Sequence, residues 1–264
     1  MEGSGNRKVK KLRLDEILAA RGLAPSRAQA RLMILEGKVR SGTQVLDKAG
    51  HMFLENIDIT VEAPPRFVSR GGEKLEGFLT CFPIDLAGKL VLDVGASTGG
   101  FTDCCLQRGA AHVTCIDVGR AQLHEKIRRD ARVENREGVN ARFLDISTLP
   151  HPSYDAIVMD LSFISLTSVL PAVWPALKVG GSLVCLIKPQ FEVGKHDADR
   201  FHGVIRDEAL RAAVVEKIRS FARENLAGSE EIGLCTSPIQ GAEGNVEFLL
   251  GLRKAQASQS APAK

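Results

Sequence analysis

Residues 90–103, "LVLDVGASTGGFTD", decide the fold of most of this chain. The run Lys89–Val94 is mostly apolar and unbroken, which is typical of a buried strand. Gly95, Gly99 and Gly100 follow it directly, and a helical pattern begins after them. A strand, a glycine-rich turn and a helix in succession form the first half of a βαβ unit. The stretch therefore predicts the first strand of a parallel sheet.

The same alternation continues through the rest of the chain. A helical pattern, "GGEKLEGFLTCF", precedes the first strand, and the last helix, after Asp207, ends before Gly228. Such alternation favours an α/β fold, a doubly wound Rossmann-like sheet with helices on both faces. The other predicted strands are His112–Asp117, a short one near Arg132–Arg136, Ala156–Asp160, Leu183–Ile187 and Asn245–Leu252.

A stiff Ala63-Pro64-Pro65 break divides the chain. Before the break, two short helices and several short strands indicate a small α+β domain. The C-terminal end is poor in large apolar residues, which is typical of disorder. The predicted divisions are a basic flexible N-terminus at 1–11, the small domain at 12–63, a linker at 64–70, the α/β domain at 71–252 and a disordered tail at 253–264.

The composition, with 44% hydrophobic and 25% charged residues, is ordinary for a globular protein. No apolar run approaches the roughly 18 residues that span a bilayer, and the N-terminus lacks the apolar core of a signal peptide. The six cysteines show neither a CxxC pair nor metal-ligand spacing. We therefore expect a cytoplasmic protein with reduced core cysteines, no metal site and no membrane partner.

The N-terminal domain is basic. The first forty residues carry ten Lys and Arg against four Asp and Glu, in a chain whose total charge is +3. Ser26 can cap a helix in which Arg27 and Arg31 share a face. The pattern "RLDEILAARGLAPSRAQARLMILEGKVR" resembles the alpha-L RNA-binding domain. In that family the second helix and the following turn face RNA, which implies phosphate contacts by Arg27, Arg31, Lys38 and Arg40.

The glycine-rich turn is compatible with few ligands. A dinucleotide fold needs G-x-G-x-x-G, but Ser97 stands where the second glycine belongs. A P-loop needs a lysine after its last glycine, but Phe101 follows Gly100. S-adenosylmethionine (SAM) has no pyrophosphate and needs glycines that admit its methionine end. The turn therefore favours SAM, with a purely structural βα turn as the alternative.

Two acids strengthen the SAM interpretation. Asp117 ends the next strand, 22 residues beyond Gly95, about the offset at which doubly wound folds place the acid that binds ribose hydroxyls. Asp93 stands two residues before Gly95, where methyltransferases of this fold often carry an acid. Both residues are therefore candidate cofactor ligands.

Four further charged residues fall near the same predicted edge. Asp160 and Lys188 end strands, and Pro189 holds Lys188 in an extended conformation. Lys74 lies in the helix before the first strand, and Glu247 lies in the last strand among apolar residues. The carboxyl ends of the strands line the crevice of a doubly wound sheet. Each charge alone is typical of a surface, but together they predict a Lys-Asp-Lys-Glu tetrad beside the SAM turn.

A resemblance to the TlyA family is carried by the segments "SRGGEKL", "DVGASTGGFTDCCLQRGAAHVTCIDVG", "DLSFISL", "IKPQFEVGK" and "GNVEFLL". These are bacterial ribosomal-RNA cytidine 2′-O-methyltransferases, historically labelled hemolysins, with an FtsJ-like catalytic domain. The resemblance covers nearly all of residues 12–252 and implies a cytoplasmic enzyme that uses SAM and acts on ribosomal RNA or subunits. It implies catalytic roles for Lys74, Asp160, Lys188 and Glu247, and a SAM site at Gly95, Ala96, Ser97, Gly99, Gly100, Asp117, Asp160 and Phe163.

The expected reaction is attack of a ribose 2′-hydroxyl on the methyl group of SAM, with a neutral lysine as base. An ordinary lysine has a pKa near 10.4, so its surroundings must favour the neutral amine. Burial and nearby cations act in that direction, and the two carboxylates oppose it. The resemblance favours Lys188 as the base and leaves Lys74 to hold the ribose or its phosphate.

The loop Gln190–Gly203 follows the predicted base and is either a lid over substrate or an ordinary surface loop. In the first case Lys195 and Arg200 would meet phosphates. Two other functions stay open at this stage, namely a non-catalytic RNA-binding or ribosome-assembly factor and a membrane-lytic protein, as the old family label suggests.

Overall fold

The structure is a computed structural model that describes residues 10–63, 65–193 and 203–256 of the 264. It forms two compact units that divide between Pro65 and Arg66. Within the described ranges, no helix is both long enough and apolar enough to cross a membrane. The predicted lid residues Lys195 and Arg200 lie outside the described residues.

The N-terminal unit is built from two helices and five short strands. Its elements are β1 (Lys11–Arg13), α1 (Leu14–Ala20), α2 (Arg27–Leu35), β2 (Val39–Ser41), β3 (Gln44–Val45), β4 (Met52–Leu54) and β5 (Thr60–Val61). Strand β1 pairs with β4, and β2 lies between β3 and β5. The Ser26 hydroxyl accepts the Gln29 N–H at 3.2 Å and so caps α2 as predicted. Leu14, Leu18 and Ile34 are buried in one core between the helices and strands.

The second unit alternates strands and helices along its length. Its elements are α3 (Gly71–Cys81), β6 (Leu90–Val94), α4 (Gly100–Gln107), β7 (His112–Asp117), α5 (Glu125–Arg128), β8 (Val133–Glu137), β9 (Tyr154–Met159), α6 (Leu170–Val173), β10 (Leu177–Ile187), α7 (Pro189–Glu192), α8 (Glu208–Asn225), β11 (Ser229–Thr236) and β12 (Phe248–Lys254).

These strands form one sheet in the order β11-β12-β10-β9-β6-β7-β8. Strands β10, β9, β6, β7 and β8 are parallel, and β12 is antiparallel to its neighbours β10 and β11. The chain order reverses between β6 and β9, so their carboxyl ends form the crevice in which doubly wound sheets bind ligands. The predicted doubly wound α/β fold is confirmed.

Apolar side chains cover both faces of this sheet. On one face, Trp174 and the α8 residues Val214 and Ile218 pack against the strands. On the other face, Phe78 of α3 and Phe101 of α4 are buried. Because both faces are covered, the open edge at the carboxyl ends of the parallel strands is where polar residues can gather.

The structure differs from the predicted strands at the far edge of the sheet. Strand β11 was not predicted, because acidic residues and Gly233 interrupt its apolar pattern on an exposed edge. Strand β10 begins at Leu177, six residues before the predicted start, and its register shifts between Leu177 and Ser182. The last strand begins at Phe248, so Glu247 lies immediately before it, and the strand is internal to the sheet.

Two predicted domain boundaries also differ from those in the structure. The Lys254 ammonium donates to the carbonyls of Trp174 at 3.0 Å and Leu177 at 2.7 Å, so β12 continues two residues past the predicted domain end. Within the predicted linker, Phe67 is buried, and the Val68 N–H donates to Asp103 at 2.9 Å. The chain from Arg66 onward therefore packs as part of the α/β unit, because an aromatic side chain there enters its core.

Candidate active site

The glycine-rich turn after β6 brings two strand ends together. Gly95 has φ +84°, and a Cβ built on it would lie 2.7 Å from the Asp160 carbonyl oxygen. Only glycine fits this close approach without displacing the backbone after β9. The Ser97 N–H donates to the Asp117 carboxylate at 2.8 Å, and the Gly119 N–H donates to its other oxygen at 2.7 Å. The turn is thus tied to the end of β7.

These elements enclose a cavity of about 490 Å³ at the carboxyl ends of β6, β7 and β9. Its volume lies in the range of small-molecule sites. A smaller cavity of about 90 Å³ shares three lining residues with it and is also lined by Ala96 and Gly100. Gly99 instead faces the side chains of Leu123 and Ile127. The predicted cofactor residues on the large cavity are Gly95, Ser97, Asp117, Asp160 and Phe163.

Asp93 is fully buried beneath the turn. One of its oxygens accepts the Thr102 hydroxyl at 2.6 Å, and Oδ1 has no hydrogen-bond partner among the described residues. Burial raises the pKa of Asp93 to about 7, although the Thr102 hydrogen bond acts in the opposite direction. Asp93 lines neither cavity, and its unpartnered buried oxygen suits a hydrogen-bond donor or a cation.

Lys188 and Asp160 form the first half of the predicted tetrad. Lys188 has φ −110° and ψ 101°, so the extended conformation predicted from Pro189 is confirmed. Its Nζ lies 2.5 Å from Asp160 Oδ1 and donates to the Ser162 hydroxyl at 3.1 Å. The Lys188 side chain is only 11% exposed. Asp160 lines both cavities, so this ion pair lies at their edge.

Lys74 and Glu247 form the second half. The Lys74 Nζ donates to Glu247 Oε2 at 2.5 Å, and the two side chains are 10% and 2% exposed. Gly241 leaves the space that the Glu247 carboxylate occupies, because a Cβ there would lie 2.1 Å from Oε1. Two complementary charges therefore face each other in the interior, where an unpaired charge would be costly.

The sheet register brings the two ion pairs to one edge. Ile187 of β10 is opposite Phe248 of β12. One further step along these antiparallel strands sets Lys188 opposite Glu247, on chains about 5 Å apart. Strand β9 lies beside β10 in parallel, so Asp160 leaves the sheet at the same edge. The four predicted residues thus lie toward one edge of the sheet, and among them Asp160 lines the cavities.

Phe163 has an unusual conformation beside the cavity. It is 90% exposed and has φ +63°, which is rare for a residue with a large side chain. Its ring lies 4.8 Å from that of Phe191, between centroids. Such strain persists only where surrounding contacts impose it, and it is concentrated at functional sites.

The sequence analysis did not predict several residues of this region. Ser162, which accepts from Lys188, lies within "DLSFISL" and could have been selected from that segment. Asn140 and Arg142 line the cavity from the loop after β8, where no pattern marks them. Glu192 is buried behind the loop after β9, although its sequence position resembles a surface helix.

The N-terminal unit gathers its predicted RNA-binding residues around a carboxylate. Asp15 is fully buried, and Arg31 donates to it at 2.8 Å, while an Arg27 nitrogen lies 3.4 Å from it. Both guanidinium groups stay about half exposed. Lys38 pairs with Glu36 at 2.6 Å, and Arg40 is exposed. The exposed guanidinium groups remain available for phosphate contacts.

The chemical fit of SAM rests on these features. The cavity offers glycine backbone at Gly95 and a carboxylate at Asp117 that can accept from ribose hydroxyls, and the buried Asp93 beneath the turn has one oxygen without a hydrogen-bond partner among the described residues. Across the described parts of the chain, no cluster of His, Cys, Asp and Glu suits a metal ion. The residues present therefore fit SAM.

Comparisons with known proteins place this chain among methyltransferases. A model of FtsJ-like methyltransferases matches residues 67–254, and a model of the S4 domain matches residues 12–56. The 16S/23S rRNA (cytidine-2′-O)-methyltransferase TlyA of Mycobacterium tuberculosis is 43% identical over 93% of this chain and 91% of its own. Hemolysin A of Brachyspira hyodysenteriae is 41% identical over 90% of this chain and 98% of its own.

A solved structure extends the similarity to three dimensions. A protein of Streptococcus thermophilus, provisionally named a hemolysin, has a TM-score of 0.70 and 37% identity to this chain. The similarity covers 94% of this chain and 90% of the solved one. With an S4 domain ahead of the matched catalytic domain, the chain belongs to the FtsJ-like methyltransferase family and to its TlyA group.

Proposed function

We propose that this protein is a SAM-dependent methyltransferase that modifies the 2′-hydroxyl of cytidine ribose in ribosomal RNA. One observation carries the proposal, namely the Lys188–Asp160 ion pair at the edge of a cavity that suits SAM. A base and a cofactor site must adjoin for methyl transfer to a hydroxyl, because a hydroxyl must lose its proton during attack. The TlyA relative supports cytidine ribose as the target.

When bound, SAM supplies an electrophilic methyl group. The Gly95 backbone would admit its methionine end, and Asp117 would accept hydrogen bonds from its ribose hydroxyls. The unpartnered oxygen of the buried Asp93 would accept a hydrogen bond from the methionine amine. Ala96, Ser97 and Gly100 complete the turn, and Gly99 acts through packing.

Lys188 is the proposed base that takes the proton from the 2′-hydroxyl. Asp160 and Ser162 hold its nitrogen by two contacts, which leaves the remaining direction for substrate. Lys74, held by Glu247, is proposed to bind the ribose or its phosphate. The two carboxylates orient the two lysines.

The N-terminal unit is the proposed RNA-binding element. Its exposed Arg27, Arg31 and Arg40 and its partly exposed Lys38 would contact phosphates, whose charge supplies most of the affinity for RNA. The expected partner is a ribosomal subunit or its RNA. The six cysteines are free, which supports a reducing compartment such as the cytoplasm.

The decisive experiment is transfer of labelled methyl groups from SAM to ribosomal subunits or their RNA, with mapping of 2′-O-methyl sites. We expect Lys188→Ala and Lys188→Arg to lose at least about 100-fold in kcat, since arginine keeps the charge but cannot accept a proton. Lys178→Ala is the matched control. Lys178 also lies on β10 and pairs with a carboxylate of β9, Asp155, at 2.8 Å, but at the opposite end of the sheet.

Calorimetry with SAM, run beside the transfer assay, distinguishes an error in the assigned base or target from an absence of SAM binding. Normal transfer by Lys188→Arg would remove Lys188 as the base and leave the reaction intact. A wild-type protein that binds SAM but labels a base atom would contradict the ribose as target. A wild-type protein that binds RNA and not SAM would instead be a non-catalytic RNA-binding factor.

A further inference from the structure

We propose that Glu192 is a positioning residue that fixes the loop after β9 against the segment that carries the base. The inference rests on the proposed function, because it assigns Glu192 a role in arranging that site. Glu192 closes α7, four residues after Lys188. It touches neither cavity and is distinct from the tetrad.

Both oxygens of this carboxylate bind one short segment. Oε1 accepts the Leu166 N–H at 2.7 Å, and Oε2 accepts the Ser165 hydroxyl at 2.5 Å. Ser165 also caps the helical turn that begins at Leu166, through the Thr167 N–H at 3.3 Å. A two-point attachment of this kind fixes orientation as well as distance.

The burial of Glu192 makes these contacts strong. The residue is only 4% exposed, and desolvation raises its pKa against the opposing hydrogen bonds from Leu166 and Ser165. Lys217 of α8 donates to the Glu192 carbonyl at 2.7 Å, and its Nζ lies 3.9 Å from Oε2. Helix α8 thereby also contacts Glu192, through Lys217. Three separate segments meet at this one side chain.

The attached loop is part of the proposed site. Residues 160–164 line the large cavity, and within them Ser162 accepts from Lys188 and Phe163 has the strained positive φ. Glu192 anchors the far end of this loop, while the Lys188–Asp160 pair anchors its beginning. A strained residue between two fixed points keeps its conformation only while both points hold. Loss of Glu192 would therefore release the loop.

The test compares Glu192→Ala with Asp155→Ala, a matched control. Asp155 likewise accepts a backbone N–H, from Leu90 at 2.9 Å, and pairs with a lysine, but at the opposite end of the sheet. SAM affinity and site number are measured by calorimetry, and kcat and KM by methyl transfer, well below the unfolding temperature of each variant. A purely structural role would lower the number of competent sites and leave the Kd for SAM unchanged. A positioning role would raise the Kd with the site number near one.

We expect Glu192→Ala to weaken SAM binding about 10-fold and to lower kcat by about 10- to 100-fold, because small displacements of positioned groups have effects of that size. Glu192→Gln should recover most of both, since its amide oxygen can accept from the Leu166 N–H while its NH2 group donates to the Ser165 hydroxyl oxygen. Asp155→Ala should keep the wild-type Kd and kcat.

Several results would overturn the inference. These are a wild-type Kd and kcat in Glu192→Ala, an equal loss in Asp155→Ala, or no recovery in Glu192→Gln. If Glu192→Ala does not fold, Ser165→Ala decides, with a raised Kd in support and an unchanged one against. If the wild-type protein transfers no methyl group, the proposed function fails, and the Kd for SAM still decides the role of Glu192.

Discussion

The Lys74 ammonium and the Glu247 carboxylate lie 2.5 Å apart in the interior, joining helix α3 to the start of strand β12 across 173 residues of chain. Neither side chain has enough contact with water to be stable alone. In the folded protein, each charge of the pair compensates the other. The pairing also holds Lys74 at the edge of the sheet where Lys188, the proposed base, lies.

We expect Lys74→Met and Glu247→Gln each to lower the free energy of unfolding by about 3–5 kcal/mol, because each leaves or weakens a buried charge without its partner. The double variant should lose less than the sum of the two. Methyl transfer should be lost in all three. Denaturant unfolding measures the cycle, and Glu231→Gln is the control, since its pair with Arg219 at 2.8 Å is partly exposed and worth under about 1 kcal/mol. An additive double variant would contradict the coupling.

The close approach at Gly95 predicts a loss of cofactor binding when a methyl group is added. Gly95→Ala should strain the backbone, at φ +84°, and push on the Asp160 carbonyl. Gly180→Ala is the matched control, because Gly180 has φ +81° with open space around its Cα. Gly180→Ala should lose about 1–2 kcal/mol of stability, the cost of the left-handed conformation, and Gly95→Ala should lose more because its Cβ would also clash with the Asp160 carbonyl. Only Gly95→Ala should lose SAM binding in calorimetry, and equal SAM affinities in both variants would contradict the expectation.

The strand ends were predictable because local patterns set them. The apolar run before Gly95 and the residue pair Lys188-Pro189 determine where two strands stop, and the α/β alternation places their carboxyl ends at one edge. Asp160 was selected as a charged residue at a strand end and Glu247 as a charged residue among apolar ones, and the resemblance then implied catalytic roles for both. The positions of the four charged residues therefore came from local sequence together with topology.

The partners of these residues could not be predicted in the same way. Nothing in the spacing decides that Lys74 pairs with Glu247 and Lys188 with Asp160, because each pair depends on the register of neighbouring strands. Glu192 was missed because its partners are 26 and 27 residues away. The edge strand β11 was missed because it buries little apolar surface and so lacks a clear alternation.

The raised pKa of Asp93 predicts a pH-dependent stability. Burial raises this pKa to about 7, above the ordinary value near 3.8, so the folded state keeps a proton that the unfolded state has lost. The stability contributed by this group is full below about pH 4 and declines as the pH rises to about 7. Asp93→Asn should therefore become more stable relative to wild type as the pH rises from 5 to 8, by at most about 3 kcal/mol.

Thermal unfolding across that pH range measures the effect, and Asp155→Asn controls for other carboxylates of the same sheet. Asn keeps the acceptor for Thr102 but loses the charge that an amine of SAM would meet. We therefore expect weaker SAM binding in the more stable variant. A constant difference in unfolding temperature between pH 5 and pH 8 would show that Asp93 is ionised throughout.

The buried Asp15 predicts that the N-terminal unit has the opposite pH dependence. Burial would raise the pKa of this carboxyl, but hydrogen bonds from Arg13 and Arg31 outweigh burial and hold it well below its usual range. The stability from these contacts is present above about pH 4 and is lost as the pH falls toward the folded-state pKa. Asp15→Asn should lower stability by about 1–3 kcal/mol at pH 7, because charged hydrogen bonds are lost in the interior. The difference from wild type should shrink as the pH falls below about 4.

Glu16→Gln is the matched control for this variant, since Glu16 is the next residue and pairs with Arg27 at 3.1 Å on the surface. Its change should stay under about 1 kcal/mol at every pH. Hydrogen exchange of amides in α1 and α2 reports the N-terminal unit separately from the α/β unit. Because Asp15 also orients Arg31, the same variant should bind RNA more weakly even though its net charge is one unit more positive. Tighter RNA binding by Asp15→Asn would indicate that total charge, and not the orientation of the guanidinium groups, governs the interaction.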